Sequence, residues 1–130
     1  MKRLALFILA IVALAYFVPI HAATSPELNN EPTKWTKLDS KAYARDVVSR
    51  WEARQWKCLD KLWEKESNWR KKAYNPIKVM GKNAGGIPQL LGLSPKSQPI
   101  EQIERGWDYI EYRYGTPCNA LRFHEKNWWY

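Results

Sequence analysis

The sequence predicts a helix-dominated, all-α single domain, and three observations lead to that class. Apolar residues recur at helical spacing over three stretches, alternating strand patterns are nearly absent, and glycine and proline gather in one interval, residues 75–99. Before the first of these stretches the chain opens Met1-Lys2-Arg3 and runs from Leu4 to Val18 without a charged or amide side chain. That run of 15 residues is shorter than the roughly 20 a spanning helix needs. Ile20 and Ala22 stand at the −3 and −1 positions of a cleavage site after Ala22. A basic start, a short apolar core and small residues at the cut are the parts of a secretory signal peptide. Residues 1–22 are therefore expected to be removed on export, placing the protein in the cell envelope, periplasm or medium. Contact with a membrane is expected only through this segment, should it stay attached.

The remaining 108 residues suit one domain and not two. Residues 23–38 mix Pro, Asn, Ser and Thr without a hydrophobic period and read as a tether or irregular arm, which leaves 39–130 as the domain. Asp39 or Ser40 can cap a first helix whose apolar residues are Tyr43, Ala44, Val47, Val48 and Trp51. A second helix, starting near Gln55, carries Leu59, Leu62, Trp63 and Trp69. The interval 75–99, with Gly81, Gly85, Gly86, Gly92 and four prolines, reads as mainly loops and short turns. A third helix runs from about Ile100 to Tyr114, with Gly115 placed as a left-handed cap and Pro117 just beyond.

After removal of the leader, 19 basic residues face 13 acidic ones. A net charge of this sign suits an anionic envelope polymer, and export argues against nucleic acid. Cys58 and Cys118 are the only cysteines, and an oxidising compartment permits one internal pairing between them. Closing that loop would stabilise the fold by about 4 kcal/mol in the chain-entropy model. With His124 the single histidine after the leader and no Cys-x-x-Cys, the sequence shows no metal-site pattern, and no cofactor is expected.

One residue contradicts its surroundings. At 100° per residue, Leu59, Leu62, Trp63 and Trp69 fall within about 120° of the second helix, and Glu66 falls in the middle of that sector. A carboxylate on an apolar stripe is costly unless it is paired, hydrogen-bonded or protonated. Desolvation would raise its pKa and keep a proton available near neutral pH, as a general acid for glycosidic cleavage requires. A buried glutamate paired with a lysine or arginine would satisfy the pattern equally well.

Several blocks then resemble a known family. They are Gln55-Trp56-Lys57-Cys58-Leu59, Leu62-Trp63-Glu64-Lys65-Glu66-Ser67-Asn68-Trp69, Gly86-Ile87-Pro88-Gln89, Gln102-Ile103-Glu104-Arg105-Gly106 with Tyr109-Ile110, and Arg113-Tyr114-Gly115-Thr116-Pro117-Cys118 with the terminal Trp129-Tyr130. In this order the stretch from about Tyr43 to Tyr130 is similar to small lysozyme-like lytic transglycosylases of the soluble-lytic-transglycosylase type, closest to short actinobacterial and phage-associated versions. The resemblance implies a lysozyme-like domain with Glu66 as catalytic acid/base, followed by Ser67. It implies a substrate loop holding Ile87 and Gln89, Tyr109 in the cleft, and a Cys58–Cys118 disulfide. The implied partner is the glycan strand of peptidoglycan, bound by a monomer. The implied reaction cleaves the bond between N-acetylmuramic acid and N-acetylglucosamine and closes a 1,6-anhydro ring. A hydrolytic muramidase, or a catalytically weak peptidoglycan-binding or assembly factor, is the alternative. The sequence departs from the family at Gly85, where a larger residue is common, and the stretch to Pro99 is short. Of the tryptophans, Trp51, Trp63 and Trp107 are expected in the core and His124 in a structural role.

Overall fold

A computed structural model describes residues 34–49 and 51–130, all within one compact unit, Glu31–Tyr130. The expected signal peptide and most of the arm lie outside the described residues. Four helices and one small sheet follow in the order α1 (Lys37–Val47), α2 (Ala53–Ser67), β1 (Tyr74–Val79), β2 (Lys82–Gly85), β3 (Leu90–Leu91), α3 (Pro99–Tyr114) and α4 (Pro117–Asn127). The class is therefore helix-rich and not purely all-α.

Helix α1 starts earlier than its periodicity predicts, and its cap is Thr36 rather than Asp39 or Ser40. The Thr36 hydroxyl accepts the Asp39 N–H at 3.2 Å while the Asp39 carboxylate accepts the Thr36 N–H at 2.8 Å. This reciprocal capping box satisfies two donors that the first turn cannot satisfy internally. Trp35, at the end of the expected arm, packs edge-on against Tyr43 and donates its indole N–H to buried Ser40 at 2.7 Å. The last residues assigned to the tether thus belong to the fold.

Helix α2 buries Leu59, Leu62, Trp63 and Ser67 and stops at Asn68, which takes a left-handed conformation. Its neighbour in space is α4, which the sequence reading did not foresee. Pro117 reads as punctuation after Gly115, but it occupies the first turn of a new helix. There its missing N–H costs nothing, and the Thr116 hydroxyl caps the Asn119 N–H. Gly115 does end α3 with φ of 74°, its N–H bonded to the Glu111 carbonyl. The Cys58–Cys118 disulfide joins α2 to the start of α4, with Cα atoms 4.9 Å apart.

The region read as mainly loops and short turns also holds a small sheet. Its strands are antiparallel in the order β1-β2-β3, and Met80 and Gly81, both at positive φ, turn the β1–β2 hairpin. All six residues of β1 are exposed, so no buried face imposes an alternating pattern, and Pro76 weakens the signal further. Asn83 holds the irregular stretch of β1 by donating to the Asn75 and Pro76 carbonyls.

The core gathers Ala44 and Val48 with Leu59, Leu62, Trp63 and Trp69, then Ile87, Ile103, Trp107, Ile110, Ala120 and Leu121. Trp63 and Trp107 are buried as expected, and Trp51 is half-buried with its ring edge-on to Trp107 at 5.1 Å. Trp128 and Trp129 stand exposed.

Candidate active site

Glu66 is the penultimate residue of α2, in its last turn, on the face that carries Leu59, Leu62 and Trp63. Its side chain is 15 % exposed, and among the described residues no lysine or arginine pairs with it. Burial pushes its carboxyl from 4.5 up to about 7, and among the described residues no acidic neighbour contributes to that rise. Its Oε1 is buried without a hydrogen bond, so the proton is not locked into an internal contact. Glu64 and Lys65 are exposed.

A polar group of α4 lies against this carboxyl. Packing of α4 on α2 sets His124 Nε2 2.9 Å from Glu66 Oε1, off the alignment of a hydrogen bond. Burial holds this imidazole below its usual 6.5, Lys65 acts in the same direction, and Glu125 opposes them. The pair is therefore a carboxyl that favours its protonated form beside an imidazole that favours its neutral form. His124 is more than a packing residue, and the sequence reading missed its position because α4 itself went unrecognised.

The loop after β2 is fastened to the same helix. Ser67 is buried and donates its hydroxyl to the Ile87 carbonyl at 2.6 Å. The Ile87 N–H is taken by the side-chain oxygen of Gln102, whose amide hydrogens go to the Lys71 and Ser97 carbonyls. Gln102 is wholly buried with both ends of its amide used. Helical spacing places Gln102 to one side of the Ile103, Trp107 and Ile110 stripe, next to Gly106, so no periodicity of the sequence singles it out. The Tyr130 hydroxyl donates to the Pro88 carbonyl at 2.7 Å and accepts the Trp63 indole N–H at 3.0 Å. Three elements thus hold Gly86–Gln89 against the Glu66 helix.

Two glycines permit that closeness. A Cβ on Gly106 would lie 2.7 Å from Pro88 Cβ and 2.8 Å from Trp63 Cζ2, so α3 reaches the loop and α2 only without a side chain there. A Cβ on Gly85 would meet the Leu93 carbonyl oxygen at 2.3 Å. Only glycine at position 85 allows the chain to return this closely past Leu93.

The other predicted site residues divide by accessibility. Ile87 and Ser67 are fully covered and serve the loop rather than an open surface. Gln89 is half-buried at φ of 51°, and its amide donates back to the Gly86 carbonyl. Tyr109 is half-buried with its ring 5.7 Å from that of Tyr130, whose hydroxyl feels the charge of Glu66. Beyond Tyr109 the Arg113 guanidinium lies over Tyr109, Tyr114 and Trp129, at 5.2 Å from the last. This aromatic shelf includes the half-exposed face of Trp129, which no periodicity of the sequence singled out.

Two hollows open elsewhere and neither is lined by Glu66. One of about 320 Å³ lies beside Trp35, Ser40, Asn68 and Lys71, and one of about 230 Å³ beside Val48, Trp51 and Trp56. The desolvated carboxyl of Glu66, rather than either volume, marks the candidate site. Among the described residues no group of three or more His, Cys, Asp or Glu is placed to hold a metal ion. Comparison with known proteins returns no matching family model, no similar curated protein and no similar solved structure.

Proposed function

We propose that the protein is a peptidoglycan lytic transglycosylase in which Glu66 acts first as acid and then as base. The observation that carries the reading is the Glu66 carboxyl itself, desolvated on an apolar helix face, without a lysine or arginine partner among the described residues, and raised to about 7. A group with this pKa protonates a leaving glycosidic oxygen near neutral pH and then exists as the carboxylate that can take a proton back. In the transglycosylase reaction the bond from the muramic acid C1 to the bridging oxygen breaks, and Glu66 gives that oxygen its proton. The sugar's own 6-hydroxyl then bonds to C1 and returns its proton to Glu66.

Among the described residues the rise of the Glu66 carboxyl comes from burial and not from a second carboxyl, which supports this route over a retaining hydrolase, whose two carboxyls lie about 5–5.5 Å apart. An internal hydroxyl needs no such partner, because it is already held close to C1. Tyr109 and the Trp129 face offer surfaces on which pyranose rings can stack. The basic balance of the chain and the five blocks resembling lytic transglycosylases support the same substrate.

The test is digestion of purified peptidoglycan in water labelled with heavy oxygen, followed by mass analysis. Fragments ending in 1,6-anhydro-muramic acid, each lighter by one water than the reducing form and free of label, are the expected product. Labelled reducing ends would replace this reading with a muramidase, and binding without any shortening of strands would leave a glycan-binding factor.

A further inference from the structure

Between Ser67 and Ile100 the chain holds six basic residues, Arg70, Lys71, Lys72, Lys78, Lys82 and Lys96, and no acidic one. The rest of residues 23–130 contains thirteen of each sign. The whole excess of positive charge therefore resides in the segment that forms the sheet and its loops. The same segment supplies Tyr74, Ile77, Val79, Met80 and Leu91, five of the nine large apolar side chains that stand exposed among the described residues. Met80 is 91 % and Ile77 69 % exposed. Met80 sits in the turn of the β1–β2 hairpin, and every residue of β1 is open to solvent.

Exposed apolar side chains gathered on one element mark a contact surface. Lys72, Lys78 and Lys82 are exposed among them. A hydrophilic polyanion would use the lysines and gain nothing from Ile77, Val79 and Met80. A bilayer with anionic headgroups uses both, since the lysines meet its surface potential and the apolar side chains enter the boundary between headgroup and acyl chain. Among the described residues no helix is long and apolar enough to cross a membrane, so the contact is peripheral.

We propose that the β1–β2 hairpin docks the protein on an anionic lipid surface, with Ile77, Val79 and Met80 entering the interface and Lys72, Lys78 and Lys82 facing the headgroups. This contact is separate from Glu66 and from any membrane role of the first 22 residues. It stands whether or not the protein cleaves glycan.

The test is sedimentation of the exported protein with vesicles of phosphatidylcholine alone and of phosphatidylcholine containing one-third phosphatidylglycerol. Binding to the anionic vesicles alone, weakening as salt is raised, is the expected result. Met80→Asp with Ile77→Asp is expected to weaken that binding at least tenfold, roughly the loss of one buried apolar side chain or more. Each of Lys78→Gln and Lys82→Gln is expected to cost roughly fivefold. All four side chains are exposed, and circular dichroism checks that the variants remain folded. Equal sedimentation with both vesicle types overturns the proposal. So does binding that the two aspartates leave unchanged, especially if soluble polyglycerol phosphate competes equally well. A concentration-dependent dimer abolished by the aspartates, without vesicle binding, would show that the hairpin covers a second copy of the chain.

Discussion

Replacing Glu66 by glutamine tests the desolvation argument directly, because stability then reports the carboxyl without any need for substrate. Raising a carboxyl from 4.5 to about 7 corresponds to about 3 kcal/mol of preference for the protonated form in the folded state. The folded state binds this proton more tightly than the unfolded chain does. The contribution is therefore fully present below the unfolded value of 4.5 and is lost as pH rises through about 7. His124 has the opposite sign. Its folded pKa is depressed, so its contribution is present above 6.5 and declines as pH falls through the folded value. Wild type and Glu66→Gln share that imidazole, so their difference isolates the carboxyl. At about pH 4 the two proteins should be nearly equal in stability. At about pH 9 Glu66→Gln should be more stable by about 3 kcal/mol, or roughly 15 °C in melting temperature for a domain of this size. Urea unfolding at both pH values gives the numbers. A difference that stays constant between them would mean that the carboxyl is well solvated, and the argument for Glu66 as a proton donor would fall with it.

Cleavage of purified peptidoglycan should vanish in Glu66→Gln and survive in Glu64→Gln, whose side chain is exposed; strand-length analysis of the digests reads both. His124→Gln should move the alkaline fall of the rate profile to lower pH, since the glutamine amide can donate to the Glu66 carboxylate and favour ionisation. Gly106→Ala should destabilise the domain by about 1–3 kcal/mol, because the added methyl meets Pro88 and Trp63 inside 3 Å; urea unfolding of the variant measures it. Cys118→Ala should lower stability by about 4 kcal/mol through loss of the α2–α4 cross-link, compared by unfolding under non-reducing conditions.

Much of α2 and α3 was legible because both helices bury one face. Leu59, Leu62 and Trp63 recur on α2, and Ile103, Trp107 and Ile110 on α3, at intervals a helix imposes wherever one side is dry. The same regularity exposed Glu66, since a charged residue inside a dry stripe is visible without coordinates. The end of α3 at Gly115 was readable for a local reason, the ease with which glycine takes positive φ. The hairpin was not legible, because strand patterns arise from burial of alternate residues and β1 buries none. Helix α4 was masked by Pro117, which ends or begins a helix depending on what its neighbours bond.

What the chain order determined by itself is a helix-dominated domain, a pair of cysteines able to join, and a carboxyl forced into apolar company. What only tertiary structure decided is who stands beside that carboxyl. His124 is 58 positions from Glu66 and reaches it because α4 packs on α2. Gln102, Ser67 and Tyr130 meet at one loop because Gly106 lets α3 approach Pro88 and Trp63, and because a Cβ on Gly86, which would lie 2.6 Å from Gln102 Oε1, is absent. Periodicity records whether a residue faces water or protein, since that is a property of its own helix. It does not record which distant residue fills the other side, because that depends on how separate elements pack.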